Sequence, residues 1–326
     1  MAIHGSSRGR GHVWLVLLAV LGAALVSLLA LPQWDSAARA DEREGPGRQI
    51  TLERSAAPAF QAKLSGATKR AGFEPYVIGG TPVPDGKYPF MAFVRANFTN
   101  AEGRCGGTLI DPDSVLTAAH CVVNPQSTLE SVDVWVGGTD QQSPGWQERT
   151  MADGSFHDKY KAGVSRAYDV AVLNLNQAVT GIKPIKLNTP DQAGVALESP
   201  GSVLTAAGWG QTSPVGSGSG RLNEVQLRVI PDRTAQQIWS ARPPAFHYTP
   251  ALMVATDAQG GKDIAQGDSG GPLFNPGATP TQVGIVSYGG TEPPTTGSKP
   301  TAYTDINNAE ISKFIVEAAV LEPTAR

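Results

Sequence analysis

From Val77 onward, apolar residues come in short runs cut by Gly, Pro, Asn and Asp. The runs are PFMAFV (89–94), GTLI (107–110), VDVWVGG (132–138), DVAVLNL (169–175), VLTAAGWG (203–210), EVQLRVI (224–230), QVGIVSYGG (282–290) and TAYTDI (301–306). Short apolar runs bounded by turn residues predict β-strands, because a strand buries one or both faces and must then reverse. One segment has helical spacing. Ile311, Phe314, Ile315 and Ala318 fall on one face, Asn307 or Asn308 can cap it, and it ends near Pro323. No repeat of about 20–50 residues is evident.

Upstream of Val77 the pattern changes twice. Residues 13–31 (VWLVLLAVLGAALVSLLAL) carry no charge, follow Arg8 and Arg10, and precede Ala38-Arg39-Ala40, a small-x-small cleavage pattern. Residues 1–40 therefore read as a signal peptide or a signal anchor. The 19-residue apolar run is longer than a usual signal core and close to bilayer length, so both readings stand. Either one puts the rest of the chain outside the cytoplasm, secreted or membrane-anchored. Residues 41–76 are rich in charge, Ala and Gly, contain Pro46, Pro58 and Pro75, and have no sustained periodicity. They read as a linker or pro-segment, and 77–326 as the folded domain.

Composition narrows the function classes. The 326 residues are 40% hydrophobic and only 17% charged, with 37 Gly and 25 Pro, which favours short strands and many turns. Residues 77–326 hold 17 Lys and Arg against 23 Asp and Glu, a net charge of −6. A mildly acidic domain without a basic block excludes a nucleic-acid binder of the electrostatic kind. Two cysteines are too few for a disulfide-dense scaffold. SPVGSGSG (213–220) is a flexible loop by composition, and Asn97-Phe98-Thr99 is a glycosylation sequon.

The candidate chemistry is sparse. Beyond the leader the histidines are His120, His157 and His247, with no metal-ligand spacing, and Cys105 and Cys121 do not form a CxxC. No metal or other cofactor is expected. Outside the cytoplasm the two cysteines are expected to pair, which stabilises by roughly 3 kcal/mol for a loop of this size. QGDSGGP (266–272) surrounds Ser269 with glycines that allow a tight turn and let the amides of Gly267 and Ser269 point at one spot. A serine hydroxyl is a poor nucleophile alone. It needs a base in reach and donors for the developing oxyanion. LTAAHC (116–121) puts His120 at the end of an apolar strand, and YDVAVLNL (168–175) puts Asp169 at the start of another. An acid there could hold the far N–H of the imidazole.

Taken together, VIGG (77–80), YPF (88–90), CGGTLI (105–110), LTAAHC, DVAVLNL, GWG (208–210), QGDSGGP, GIVSYGG (284–290) and KPTAYTDI (299–306) resemble the chymotrypsin/trypsin family of serine endopeptidases, in the family's order. The resemblance covers about three quarters of the chain. It implies an all-β fold of two packed antiparallel barrels, with the C-terminal helix against the second. It implies a triad of His120, Asp169 and Ser269, an oxyanion hole at the amides of Gly267 and Ser269, and a Cys105–Cys121 disulfide. It implies protein or peptide substrates. The alternative is a catalytically inactive homologue used as a binding module.

The same resemblance implies a zymogen. Cleavage at Tyr76–Val77 would free an amine on Val77 to pair with Asp268. Cutting at Lys69-Arg70 would leave AGFEPY ahead of Val77, so a separate activating protease is a possible partner. Asp263, six residues before Ser269, matches the acid at the floor of the pocket that selects Arg or Lys. Ser287, Gly289 and Thr301 match other substrate-binding positions. Three departures bear on specificity: Ile264 replaces a small polar residue, Thr301 a glycine, and Ala265 a cysteine.

Overall fold

The computed structural model describes residues 47–52, 79–140, 143–188, 190, 197–210, 219–257, 261–289 and 300–319. The apolar leader, Val77 and most of the Gly/Ser loop lie outside these residues.

In chain order the strands are β1 (Arg48–Gln49), β2 (Thr81–Pro82), β3 (Met91–Phe98), β4 (Ala101–Asp111), β5 (Ser114–Thr117), β6 (Leu129–Val136), β7 (Gln147–Phe156) and β8 (Ala171–Leu175). They continue with β9 (Lys186–Leu187), β10 (Val203–Gly208), β11 (Asn223–Val229), β12 (Leu252–Thr256), β13 (Pro272–Asn275), β14 (Thr281–Tyr288) and β15 (Thr301–Asp305). Six of them close one antiparallel barrel in the order β7-β6-β3-β4-β5-β8, sealed by the β7–β8 pairing. Six more close a second as β10-β13-β14-β15-β12-β11, sealed by β10–β11. Closure leaves no long free edge for unwanted pairing. The two-barrel, all-β architecture inferred from the sequence is the one observed.

Every apolar run predicted as a strand contains one. β5, β7, β12 and β13 were not among those runs. β7 reads QERTMADGSF and has little apolar content. It forms because β6 and β8 satisfy its backbone groups from either side. α1 (Asp232–Ser240) was also missed. It buries only Ala235 and Trp239, a pair too narrow for periodicity to reveal in a polar stretch. Trp239 then packs edge-on against Tyr288 at 4.9 Å.

The barrels meet across a seam of close contacts. Phe274 of the second barrel takes the edges of Tyr88 at 4.9 Å and Phe90 at 5.6 Å. Thr108 Oγ1 donates to Gln282 Oε1 at 2.7 Å, both fully buried. A Cβ on Gly106 would stand 3.0 Å from Gly271 Cα, so the two glycines bring the backbones together. Two barrels that share buried hydrogen bonds and one apolar core hold a site between them with little play.

The helix α2 (Ala309–Ala318) follows β15 as predicted, with Asn308 as its cap. Its placement corrects one expectation, because it reaches the first barrel. Its last carbonyls accept from Ser114 Oγ and Asn174 Nδ2 of β5 and β8, both at 3.5 Å. Ile311, Phe314 and Ile315 enter the same core as Leu116, Val172 and Leu173. Each such side chain contributes about 1.5–3 kcal/mol by burial.

Asn308 Oδ1 accepts from the amides of Glu310 and Ile311, at 3.1 and 3.4 Å. Asn308→Ala should therefore destabilise the protein by about 0.5–2 kcal/mol. Urea unfolding with an unchanged m-value is the check.

Candidate active site

His120 sits on a single turn of 3-10 helix, Ala119–Cys121, just past the end of β5 rather than on the strand itself. The Cys105–Cys121 disulfide, closing a separation of 16 residues, ties this turn to β4. Asp169 lies two residues before β8. Tyr168 ahead of it adopts a left-handed φ of 58°, rare for a bulky residue, and its carbonyl accepts from Val170 N at 2.9 Å. Stacking of Tyr168 on His157, with centroids 4.7 Å apart, holds that conformation. The tight turn directs the Asp169 carboxylate inward.

Asp169 is fully buried and well satisfied. Its Oδ1 accepts from the His120 amide at 2.9 Å. Its Oδ2 faces His120 Nδ1 at 2.7 Å and accepts from Ser287 Oγ at 2.5 Å. Thr304 Oγ1 donates to the Asp169 carbonyl at 2.9 Å. Burial pushes the carboxyl up more strongly than any other single influence. The charge of His120 and the donated hydrogen bonds outweigh it together and hold the group below its ordinary value. A proton on Nδ1 follows from this geometry, and it leaves Nε2 as the acceptor.

Ser269 approaches from the second barrel. Gly106 N donates to its carbonyl at 2.8 Å, and Gly106 is the neighbour of Cys105 in the disulfide. The loop around it needs glycine at two points. Gly267 has φ 99°, and Gly270 has φ 78° beside Thr117. The amides of Asp268, Gly270 and Gly271 donate to Ala265 O, Val286 O and Asp268 O. Those of Gly267 and Ser269 find no protein acceptor among the described residues. No hydrogen bond joins Ser269 Oγ to the His120 ring among these residues, a looseness common in unliganded sites.

Asp268 is buried behind this loop. Its Oδ1 accepts from Gly210 N at 2.7 Å and its Oδ2 from Ala265 N at 2.8 Å. Burial raises its carboxyl to about 6 despite those two donors. A Cβ on Gly210 would stand 2.5 Å from the Asp268 carboxyl carbon, which explains a glycine in GWG.

Asp263, Ile264, Gly289 and Thr301 gather at one place. Thr301 Oγ1 and Ile264 N both donate to Asp263 Oδ1, at 2.6 and 2.8 Å. Oδ2 has no donor among the described residues. Burial raises this carboxyl to about 7. A Cβ on Gly289 would come within 3.2 Å of Thr301 Oγ1, a tight approach that glycine avoids.

Ser287 lies on β14, beside the site. Its hydroxyl is buried on Asp169, where it supports His120. Two further residues escaped the sequence reading, Thr304 and Arg166. Arg166 Nη1 is buried 3.9 Å from Asp169 Oδ2, and the only signal was a cation three positions before the acid. Cys105, His120 and Cys121 offer three ligand atoms within 4.8 Å of one another, but the sulfurs are bonded together and supply no thiolate.

Comparison with known proteins agrees with the geometry. The family model described as Trypsin matches residues 77–315. A trypsin of Saccharopolyspora erythraea is 32% identical over 65% of this chain and 86% of its own length. Granzyme B(G,H) of Mus musculus is 31% identical over 71% of this chain and 87% of its own. The venom serine protease Bi-VSP of Bombus ignitus is 34% identical over 65% of this chain, but the match spans only 61% of that protein. A solved structure of HL collagenase shares the fold, with a TM-score of 0.63 and 24% identity over 76% of this chain and all of that one.

The lowered carboxyl of Asp169 makes a pH prediction. An acid that ionises more readily when folded stabilises the fold above its ordinary value of about 3.9, and that stability fades as pH falls through the lower folded value. The parent protein should lose stability below about pH 4 more steeply than Asp169→Asn. Urea unfolding across the acid range measures the difference.

Proposed function

This chain belongs to the trypsin family of serine endopeptidases, and from that membership we propose that Ser269, His120 and Asp169 carry its reaction. Ser269 Oγ attacks the scissile carbonyl carbon while His120 Nε2 takes its proton. Asp169 holds the imidazole by Nδ1–H and stabilises its cationic form. The tetrahedral oxyanion accepts from Gly267 N–H and Ser269 N–H. Collapse breaks the peptide bond as His120 protonates the leaving amine. Water then attacks the acyl-enzyme with His120 again as base, which restores Ser269. The observation that carries this reading is the His120–Asp169 contact of 2.7 Å on a fully buried carboxylate. The two unengaged amides beside Ser269 support it. Preorganised donors of this kind each contribute roughly 100–1000-fold in rate. The intact set of residues argues against an inactive binding module.

The proposal includes activation. Residues 1–40 act as signal peptide or anchor, 41–76 as a pro-segment, and 77–326 as the protease domain, secreted or facing outward from a membrane. No helix among the described residues is long and apolar enough to cross a membrane. Cleavage at Tyr76–Val77 releases an amine with a pKa of about 8, largely protonated at neutral pH. Among the described residues Asp268 is a buried carboxylate with two amide donors and no cation, so it suits such a partner. Gly79, two residues after Val77, supports this route. A Cβ on it would meet Gly261 O at 2.8 Å, on the loop that leads to Asp263 and Asp268. Tyr76 is a poor match to a basic-specific pocket, so a second protease makes this cut.

The substrate preference proposed is Arg or Lys before the scissile bond. The free Oδ2 of Asp263 supports it, because a guanidinium or ammonium can supply the missing donors. Thr301 adds bulk, but its hydroxyl is spent on Oδ1 of the same acid. Substrates are proteins or peptides.

Two measurements test the reading. N-terminal sequencing and phosphonate labelling of one mature sample should give a Val77 start and a label on Ser269. An unlabelled Val77 form would overturn the triad, and a labelled form starting upstream would overturn the activation switch. The ratio of kcat/KM for arginine over neutral peptides should rise as pH increases through about 7, where Asp263 ionises. The ratio cancels any pH effect common to both substrates. It should be flat in Asp263→Asn, and a flat ratio in the parent enzyme would overturn the Arg/Lys preference.

A further inference from the structure

The sequence of 41–76 reads as a linker, yet residues 47–52 are built into the first barrel. β6 covers β7 only over Gln147–Thr150, while β8 pairs with its far end on the other side. The remaining edge of β7 is open to a further strand, and β1 takes it. Arg48 pairs with Phe156, Gln49 with Ser155, and Ile50 N–H donates to Gly154 O at 2.8 Å.

Side chains reinforce the ladder. Gln49 Nε2 donates to Ser155 Oγ at 3.0 Å. The Arg48 guanidinium donates to the Tyr160 carbonyl and lies 4.8 Å from the Phe156 ring centroid. Ile50 is buried in the core, and Leu52 packs on it. Two glycines make the approach possible. A Cβ on Gly154 would come within 3.1 Å of Ile50 Cδ1, and one on Gly47 would stand 2.6 Å from Phe314 Cε2 of α2. Gly47 also has φ 114°. The segment thus has a hydrogen-bonded register, an apolar anchor and a cation over an aromatic face. Those are the components of strand-addition recognition.

We propose that residues 47–52 form a docking strand that keeps the N-terminal segment bound to the protease domain after the Tyr76–Val77 bond is cut. This rests on the activation reading above. The retention is non-covalent, because the chain has two cysteines and they are bonded to each other. The 24 residues from 53 to 76 can span up to about 80 Å when extended, so release of Val77 need not pull on the docked strand. The active enzyme is then two chains, and anything attached upstream of Gly47 stays with the catalytic domain.

The test uses the full chain with residues 72–76 replaced by an enteropeptidase recognition sequence, so that cutting leaves Val77 as an N-terminus. The cut protein is run on gel filtration at about 1 μM, where an equimolar complex with a Kd of about 1 μM is roughly 40% occupied. Intact-mass detection then follows the N-terminal fragment. The fragment should co-elute with the catalytic chain. Ile50→Pro deletes the donor to Gly154 and the buried side chain, and should reduce retention more than about tenfold with phosphonate labelling of Ser269 unchanged. Arg48→Ala is the milder second variant and should weaken retention in the same direction. Elution of the parent fragment alone overturns the proposal, as does retention that is equal in all three proteins. Failure of the cut parent to gain the label overturns the activation reading instead, whatever the fragment does.

Discussion

The buried carboxylate of Asp169 is the constraint around which the site is arranged. A charge removed from water is costly unless every lone pair finds a donor. Here the donors come from both halves of the molecule. The first barrel supplies the amide and ring of His120, and the second supplies Ser287, with Thr304 on the neighbouring carbonyl. The carboxylate is therefore satisfied only when the barrels are docked. The same docking brings the Ser269 loop to Gly106. Assembly of the fold and assembly of the reactive group are one event.

Glycine sets how closely the halves approach. Gly106 faces Gly271, Gly270 fits beside Thr117, and Gly208 and Gly210 enclose Asp268. At each point a methyl group would collide with backbone or with a carboxylate. The glycines in CGG, GWG and GDSGG thus serve tertiary contact as much as local turns. A rigid seam of this kind fixes the Ser269 loop against Gly106, whose neighbour Cys105 is bonded to the turn that bears His120.

Two fully buried carboxylates and one partly buried one are handled in three ways. Asp169 is stabilised as an anion by His120 and donated hydrogen bonds. Among the described residues Asp268 has amide donors alone and is raised to about 6, while Asp263 has one oxygen without a donor and is raised to about 7. Between Asp169 and Asp268, which are equally deep, the difference lies in partners. Groups held away from their ordinary values in one region are characteristic of sites with work to do. The docked strand meets the far end of β7, where Arg48 donates to the Tyr160 carbonyl and Phe156 packs edge-on against Tyr160.

Much of this was legible in the residues themselves. Short apolar runs between turn residues determined an all-β chain, because period and punctuation are local properties. The motifs around His120, Asp169 and Ser269 determined the family, because their chemistry requires particular residue types at particular places in the chain. Asn308 as the cap of α2 was equally visible. Other features depended on neighbours far away in sequence. β7 is polar and becomes a strand only because partners flank it. Nothing local shows that the Ser287 hydroxyl donates to Asp169. Thr301 reads only as a departure from glycine until the fold shows it donating to Asp263. Residues 47–52 read as linker because three exposed residues and one buried isoleucine carry no periodic signal. What decided their place was the open edge of β7, which exists only once the barrel has closed.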